Sequence, residues 1–363
     1  MKAQCSKASW ILPLVAPLLL LTSCGTANPA PPAIDRTAEL QQKFDSLAPG
    51  STLHLDATTY RHSGVLKIRV PNVTIEGDGT VLAATNEQTS SVQVTANGVT
   101  LSGLTFTGPT TGTRRSGLDQ HKLVISGQND VVRDVTVHGS AAAGVFVDGA
   151  KGFTIDRVTV SDTLADGVHM TGGASGGTVS DVTTSGTGDD GVAVVSYSDD
   201  GLCSDITERN ITVNGNRWGR GITVVGGTRI TISGFAVSNT SAAGLYIASE
   251  GNPYFTQSTS QVSASNGTIT SANIGSVVQG AVLVYAGRGV SGVQVSDVTI
   301  GSTPAKAGRD VAVLADGGGA VDGISFSRIT LVSNSVQPFV TNAPRSATTT
   351  SGWTVNGTAT EVR

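Results

Sequence analysis

Three carboxylates stand out by type and spacing. Asp166 opens an Asp-Gly step, and Gly188-Asp189-Asp190-Gly191 follows 23 to 24 residues later. Carboxylates held a few Å apart repel. The repulsion raises one pKa, so that group stays protonated as an acid while its neighbours serve as bases. That is the equipment for moving protons to and from a substrate. Arg220 follows 30 residues after Asp190 and brings a fixed fork of donors suited to hydroxyls or an anion. His169, Tyr246 and Glu250, with Arg217 and Trp218 just ahead of Arg220, complete the candidates for substrate contact. A lone Asp-Gly step is also a common turn in which Asp bonds its own backbone. The chemistry therefore depends on whether the three aspartates meet in space.

A repeat brings them together. The pattern is a variable residue, a small residue, then apolar–variable–apolar. It occurs at Ala143-Gly144-Val145-Phe146-Val147, Asp166-Gly167-Val168-His169-Met170 and Asp190-Gly191-Val192-Ala193-Val194. It returns at Arg220-Gly221-Ile222-Thr223-Val224 and Ala243-Gly244-Leu245-Tyr246-Ile247, and more weakly from Gly280 and from Asp310. Between copies lie two further alternating stretches, such as Phe153-Thr154-Ile155 and Val158-Thr159-Val160. Three short alternating strands per unit, with one face in and one face out, predict stacked coils: an all-β fold, a right-handed parallel β-helix. Equivalent positions in successive coils lie about 4.8 Å apart. Ala143, Asp166, Asp190, Arg220 and Ala243 then form one column, with Asp189 beside it. Phe146, His169, Ala193, Thr223 and Tyr246 form the next outward-facing column. The insertion after Tyr246, with Tyr254 and Phe255, is placed as a wall of the same cleft. The remaining histidines, His54, His62, His121 and His138, are read as surface or turn residues.

The ends need covering, because an open coil is an unpaired strand edge. Asp35 to Leu47 carries the spacing of a short helix and is placed as the N-terminal cap. The β-helix is expected over 35–340 and a C-terminal cap or tail over 341–363. Ahead of it, Lys2 and Lys7 precede an apolar run from Ile11 to Leu21. This run is too short for a mature membrane span and reads as a secretory signal. Residues 24–34, with Pro29, Pro31 and Pro32, read as a tether.

Composition narrows the classes. The 363 residues include 46 Gly and only 4% aromatics, which suits β structure with many turns. A net charge of −4 shows no basic footprint, so no nucleic-acid partner is expected. Three cysteines cannot build a disulfide scaffold, and Cys203 is expected to be unpaired. A monomer is expected.

Leu21-Thr22-Ser23-Cys24 resembles the lipobox of bacterial lipoproteins. The resemblance implies cleavage before Cys24, a signal peptide over 1–23, lipid on the Cys24 sulfur, and an extracytoplasmic protein anchored to the membrane. Asp166-Gly167 and Gly188-Asp189-Asp190, one coil apart, resemble the polygalacturonase group of glycoside hydrolases. That family carries Asn-Thr-Asp-Gly, then Gly-Asp-Asp-Cys, then Gly-His-Gly. Here Leu164-Ala165 replaces Asn-Thr, Gly191 replaces the Cys, Gly219-Arg220-Gly221 stands for Gly-His-Gly, and the family's Arg-Ile-Lys clamp is missing. The resemblance implies inverting hydrolysis of a polysaccharide or cell-envelope glycan, without a cofactor. Asp189 would be the acid, and Asp166 with Asp190 the base pair. Two alternatives stay open. The three aspartates can hold Ca²⁺, with Arg220 the base of a β-elimination, as arginine is in the similar pectate lyases. Or the protein is a surface β-helix that binds glycans without cleaving them.

Overall fold

The computed structural model describes residues 34–363, so the signal, Cys24 and most of the tether lie outside the described residues. A helix over Thr37–Asp45 buries Leu40 and Phe44 against the first coil. Its Gln41 amide bonds both the Lys67 carbonyl (2.9 Å) and the Lys67 N–H (2.8 Å). The helix thus satisfies backbone groups that the first strand of its sheet would leave open.

Beyond the helix the chain winds into coils. Eleven short parallel strands, from Leu66–Ile68 to Gln337–Thr341, stack into one sheet, one strand per coil. Longer strands such as Thr154–Thr163 and Thr259–Thr270 bend across the rest of each coil and form a second, 17-stranded sheet. The bend recurs at one register position. Asp134, Arg157, Asp181, Asn210, Gly234, Asn266, Asp297 and Arg328 stack there, all at positive φ. Only a residue in the left-handed region turns the strand within one step, which explains the Asn, Asp and Gly. The arginines at this corner are held by the coil before: Arg157 grips Asp134 at 2.7 and 2.9 Å.

The interior is a continuous core. Val145, Val168, Val192, Ile222, Leu245, Val282 and Val311 stack in register and are fully buried. The small residue before each strand is dictated by packing. A Cβ on Gly191 would sit 2.6 Å from the Val213 side chain and 2.8 Å from the Gly221 carbonyl. The weak copy near Asp310 is one residue out of the expected alignment. Val311, not Ala312, pairs with Val282, and Asp310 occupies the small-residue position. A one-residue slip turns every side chain to the other face, and the inward residues are Val311 and Val313.

At the far end, Thr348–Ser351 and Trp353–Val355 add strands to the last coil, and Thr358–Thr360 folds back antiparallel. Trp353 is buried edge-on against Phe326 and Phe339 at 6.3 and 6.2 Å. Among the described residues no helix is long and apolar enough to cross a membrane. Cys203 is buried and, among the described residues, unpaired.

Candidate active site

The site lies on the outer surface of the 11-stranded sheet. Both expected columns form. Backbone bonds link Gly144 to Asp166, Gly167 to Asp190, Gly191 to Arg220 and Gly221 to Ala243, at 2.9 to 3.0 Å. Register pairs stack Phe146, His169, Ala193, Thr223 and Tyr246. Asp166, Asp189 and Asp190 converge so that one oxygen from each lies within 4.8 Å of the others. All three are buried.

Their partners differ, and so do their proton affinities. The Asp190 N–H donates to Asp166 Oδ1 at 2.9 Å, and His169 Nδ1 lies 2.6 Å from Asp166 Oδ2. Burial works to raise Asp166, but the His169 bond and charge, with Arg114, hold it below the usual carboxylate range. Burial and the Asp166 charge push Asp189 up, against the pull of Arg114. Burial and the Asp189 charge push Asp190 up to about 8, against Arg220. The arrangement keeps Asp166 ionised and leaves a proton on the Asp189–Asp190 pair.

Arg220 is locked in place. Its backbone N–H donates to Asp190 Oδ1 at 2.6 Å, its guanidinium lies 4.4 Å over the Tyr246 ring, and Nη2 is 3.5 Å from Glu250 Oε1. The Tyr246 hydroxyl donates to the same Glu250 oxygen at 2.9 Å. Tyr246 is therefore buried beneath Arg220 and does not line the cavity. It supports the arginine instead of meeting a ligand, because the cation covers its face.

Above these residues is a cavity of about 340 Å³ that also meets Arg114, Tyr197, Trp218, Tyr254 and Thr256. Two insertions, after Val195 and after Ser249, build one wall. Ser198 and Gln257 bond across them to the Phe255 and Ser196 carbonyls at 2.7 and 2.9 Å. Trp218 stands 57% exposed at the opposite rim. Arg217 lies outside this cavity and donates to the Thr110 carbonyl at 3.3 Å.

Two site residues were not legible in the sequence. Arg114 comes from the insertion that follows Phe106 and forms an ion pair with Asp189. Nothing in the repeat pattern points to it. His121, read as a surface or turn residue, is 6% exposed and occupies the coil below Ala143 in the Asp166 column. Its ring stacks on Phe146 at 3.8 Å, and Phe146 stacks on His169 at 5.2 Å. The copy was hidden because Lys122 stands where other coils have a small residue. His62 is also buried, 2.9 Å from the Lys122 ammonium, while His54 and His138 lie at the surface as expected.

A family model described as the right-handed β-helix region matches residues 90–260 and 143–337. The chain belongs to the right-handed β-helix family. A search of curated protein sequences finds no significant match. Among solved structures, this β-helix is similar to the catalytic domain of a GH87 α-1,3-glucanase in complex with nigerose, with a TM-score of 0.75 at 17% identity over 91% of this chain. It is also similar to the catalytic unit of a thermostable GH87 α-1,3-glucanase from Streptomyces thermodiastaticus strain HF3-3, with a TM-score of 0.67 at 19% identity over 89%. The β-helix spans 66% of the length of each of those glucanase chains. A polygalacturonase from Erwinia carotovora ssp. carotovora gives a TM-score of 0.62 at 15% identity, covering 88% of this chain and 94% of its own. At these identities the likeness is one of fold.

Proposed function

We propose that the protein is a glycoside hydrolase that cleaves a polysaccharide or cell-envelope glycan by carboxylate acid/base chemistry. The observation that carries this reading is the convergence of Asp166, Asp189 and Asp190 in a cavity, with one carboxyl held ionised and a proton retained on the other two. A spacing supports it. Three α-1,3-glucanase structures bound to saccharides each carry one Asp-to-Ala substitution. Two of the substituted aspartates are adjacent, and the third lies 23 residues ahead of the pair. Asp189 and Asp190 are adjacent, and Asp166 lies 23 residues ahead.

In this reading the proton held by the Asp189–Asp190 pair is delivered through Asp189 to the glycosidic oxygen as that C–O bond breaks. Water attacks the anomeric carbon and loses its proton to Asp166, which His169 orients, while Asp190 completes the carboxylate cluster beside it. Arg220 offers its donors to substrate hydroxyls, with Glu250 fixing the guanidinium. The β-elimination reading asks Arg220 to lose its proton. Burial favours that loss, but Asp190, Tyr246 and Glu250 outweigh it and hold the group more firmly protonated than usual, which favours hydrolysis.

The test is incubation with a panel of neutral and uronate glycans, with and without EDTA, beside an Asp190→Asn variant. New reducing ends, lost in the variant and indifferent to EDTA, support the hydrolase. An unsaturated product abolished by EDTA assigns a metal-dependent lyase. Binding without cleavage, undiminished in Asp190→Asn, assigns a glycan-binding module. Proton NMR of the first anomer released reads the stereochemistry: inversion fits water activated by Asp166, and retention would make one aspartate a nucleophile.

We place the protein outside the cytoplasm, as a monomer anchored through lipid on Cys24, on the strength of the Leu21-Thr22-Ser23-Cys24 sequence. Cys24→Ser should move it from the membrane fraction to the soluble one. An unchanged distribution would remove the anchor from the reading.

A further inference from the structure

The cavity over the carboxylates has a neighbour on the Asp189 side. A depression of about 380 Å³ is lined there by Gly112, Arg114, Leu164, Gly188, Arg217 and Trp218. Arg114 and Trp218 line both spaces, so the two meet at these side chains, and Arg114 is ion-paired with Asp189 on the cavity side. Leu164, Gly188 and Trp218 each precede a member of the Asp166–Asp190–Arg220 column by two residues. They therefore climb the coils together and form one surface.

The character of this surface differs from that of the cavity. Leu164 is almost wholly buried, and Gly188 is pressed so close to it that a Cβ would meet the Leu164 carbonyl at 2.2 Å. No side chain can rise from position 188, so the floor stays low and apolar. Trp218 leaves 57% of its surface uncovered at the side. Arg217 bonds a carbonyl and, among the described residues, no carboxylate. An open indole beside free guanidinium donors suits a sugar ring, which has an apolar C–H face and a hydroxyl edge.

We propose that this depression is a second glycosyl-unit site, holding the sugar on the leaving-group side of the bond, stacked on Trp218. The proposal rests on the hydrolase reading for its orientation, since Asp189, the acid in that reading, lines the carboxylate cavity and directly follows Gly188, which lines the depression. The substrate is then a chain gripped by at least two adjacent units, one over the carboxylates and one on Trp218.

Binding of an α-1,3-linked glucose tetrasaccharide and of tetragalacturonate to the full protein is measured by calorimetry, with Trp218→Ala and Trp218→Phe alongside. The tryptophan emission is followed in the same titrations. Trp218→Ala should weaken binding of whichever probe binds by about tenfold, the size of one lost aromatic contact. Trp218→Phe should restore most of the affinity, and the emission shift seen with the unaltered protein should vanish in both variants. Binding that ignores Trp218, or no binding of either probe, overturns the proposal. Products formed by a protein whose binding ignores Trp218 would leave the hydrolase reading standing without this site. Trp218-dependent binding without products would leave the site and remove the hydrolase.

Discussion

Glu208 points into the β-helix between Val179 of one coil and Ile232 of the next. It is fully buried and, among the described residues, neither carboxyl oxygen has a partner. Burial lifts its pKa from an ordinary 4.5 to about 8. The sign follows from proton counting. Below pH 4.5 the group is protonated in both folded and unfolded chains. Between 4.5 and about 8 the unfolded chain releases the proton and the folded one keeps it, so stability falls as pH rises. Above about 8 both are ionised and the loss levels off. Glu208→Gln keeps the shape and cannot titrate. At about 1.4 kcal/mol per unit, the variant should gain about 4 kcal/mol over the parent between pH 5 and pH 8. Long repeats do not always unfold in one step, so the assay compares denaturation midpoints of parent and variant at the two pH values. Infrared spectroscopy provides the direct check. At pH 7 the parent-minus-variant difference spectrum should show a protonated carboxylic acid band, the proton on the Asp189–Asp190 pair contributing equally to both proteins. Parallel stability curves with no such band would show that Glu208 is ionised and hydrated, and would refute the reasoning.

Phe146→Ala removes the ring between His121 and His169 and frees His169 to turn away from Asp166, so turnover should drop about tenfold with KM little changed; steady-state kinetics on the active glycan tests this. Lys122 is fully buried and its pKa is lowered to about 7, so the parent should gain stability as pH rises from 7 toward 10.5; Lys122→Met should lack that gain in denaturation at pH 7 and pH 10. Gly191→Ala drives a methyl into Val213 and the Gly221 carbonyl, and should lower stability by about 2 kcal/mol, read as a fall in the thermal midpoint.

Much of this architecture was legible in the chain. A small residue ahead of apolar–variable–apolar has a mechanical cause, the crowding that leaves no room for a Cβ at Gly144, Gly167 and Gly191. Such a pattern fixes which residues stack, and it put Asp166, Asp190 and Arg220 in one column. Copies that break the rule were lost or misaligned: His121 behind Lys122, and Val311 behind Asp310. Loops carry no such rule. Arg114 arrives 75 residues before its partner Asp189 from an insertion whose path no periodicity sets. Sequence also said nothing of burial depth. Tyr246 is a stacking platform by type, yet the fold covers it with Arg220. Glu208 is a surface residue by type, yet the alternation of its strand turns it inward. The repeat alone determined the coil and the carboxylate column, because both depend on local spacing. Only the tertiary structure decided which cation meets which acid, which aromatic stays open, and where the proton rests, because those depend on loops and on the dielectric around each group.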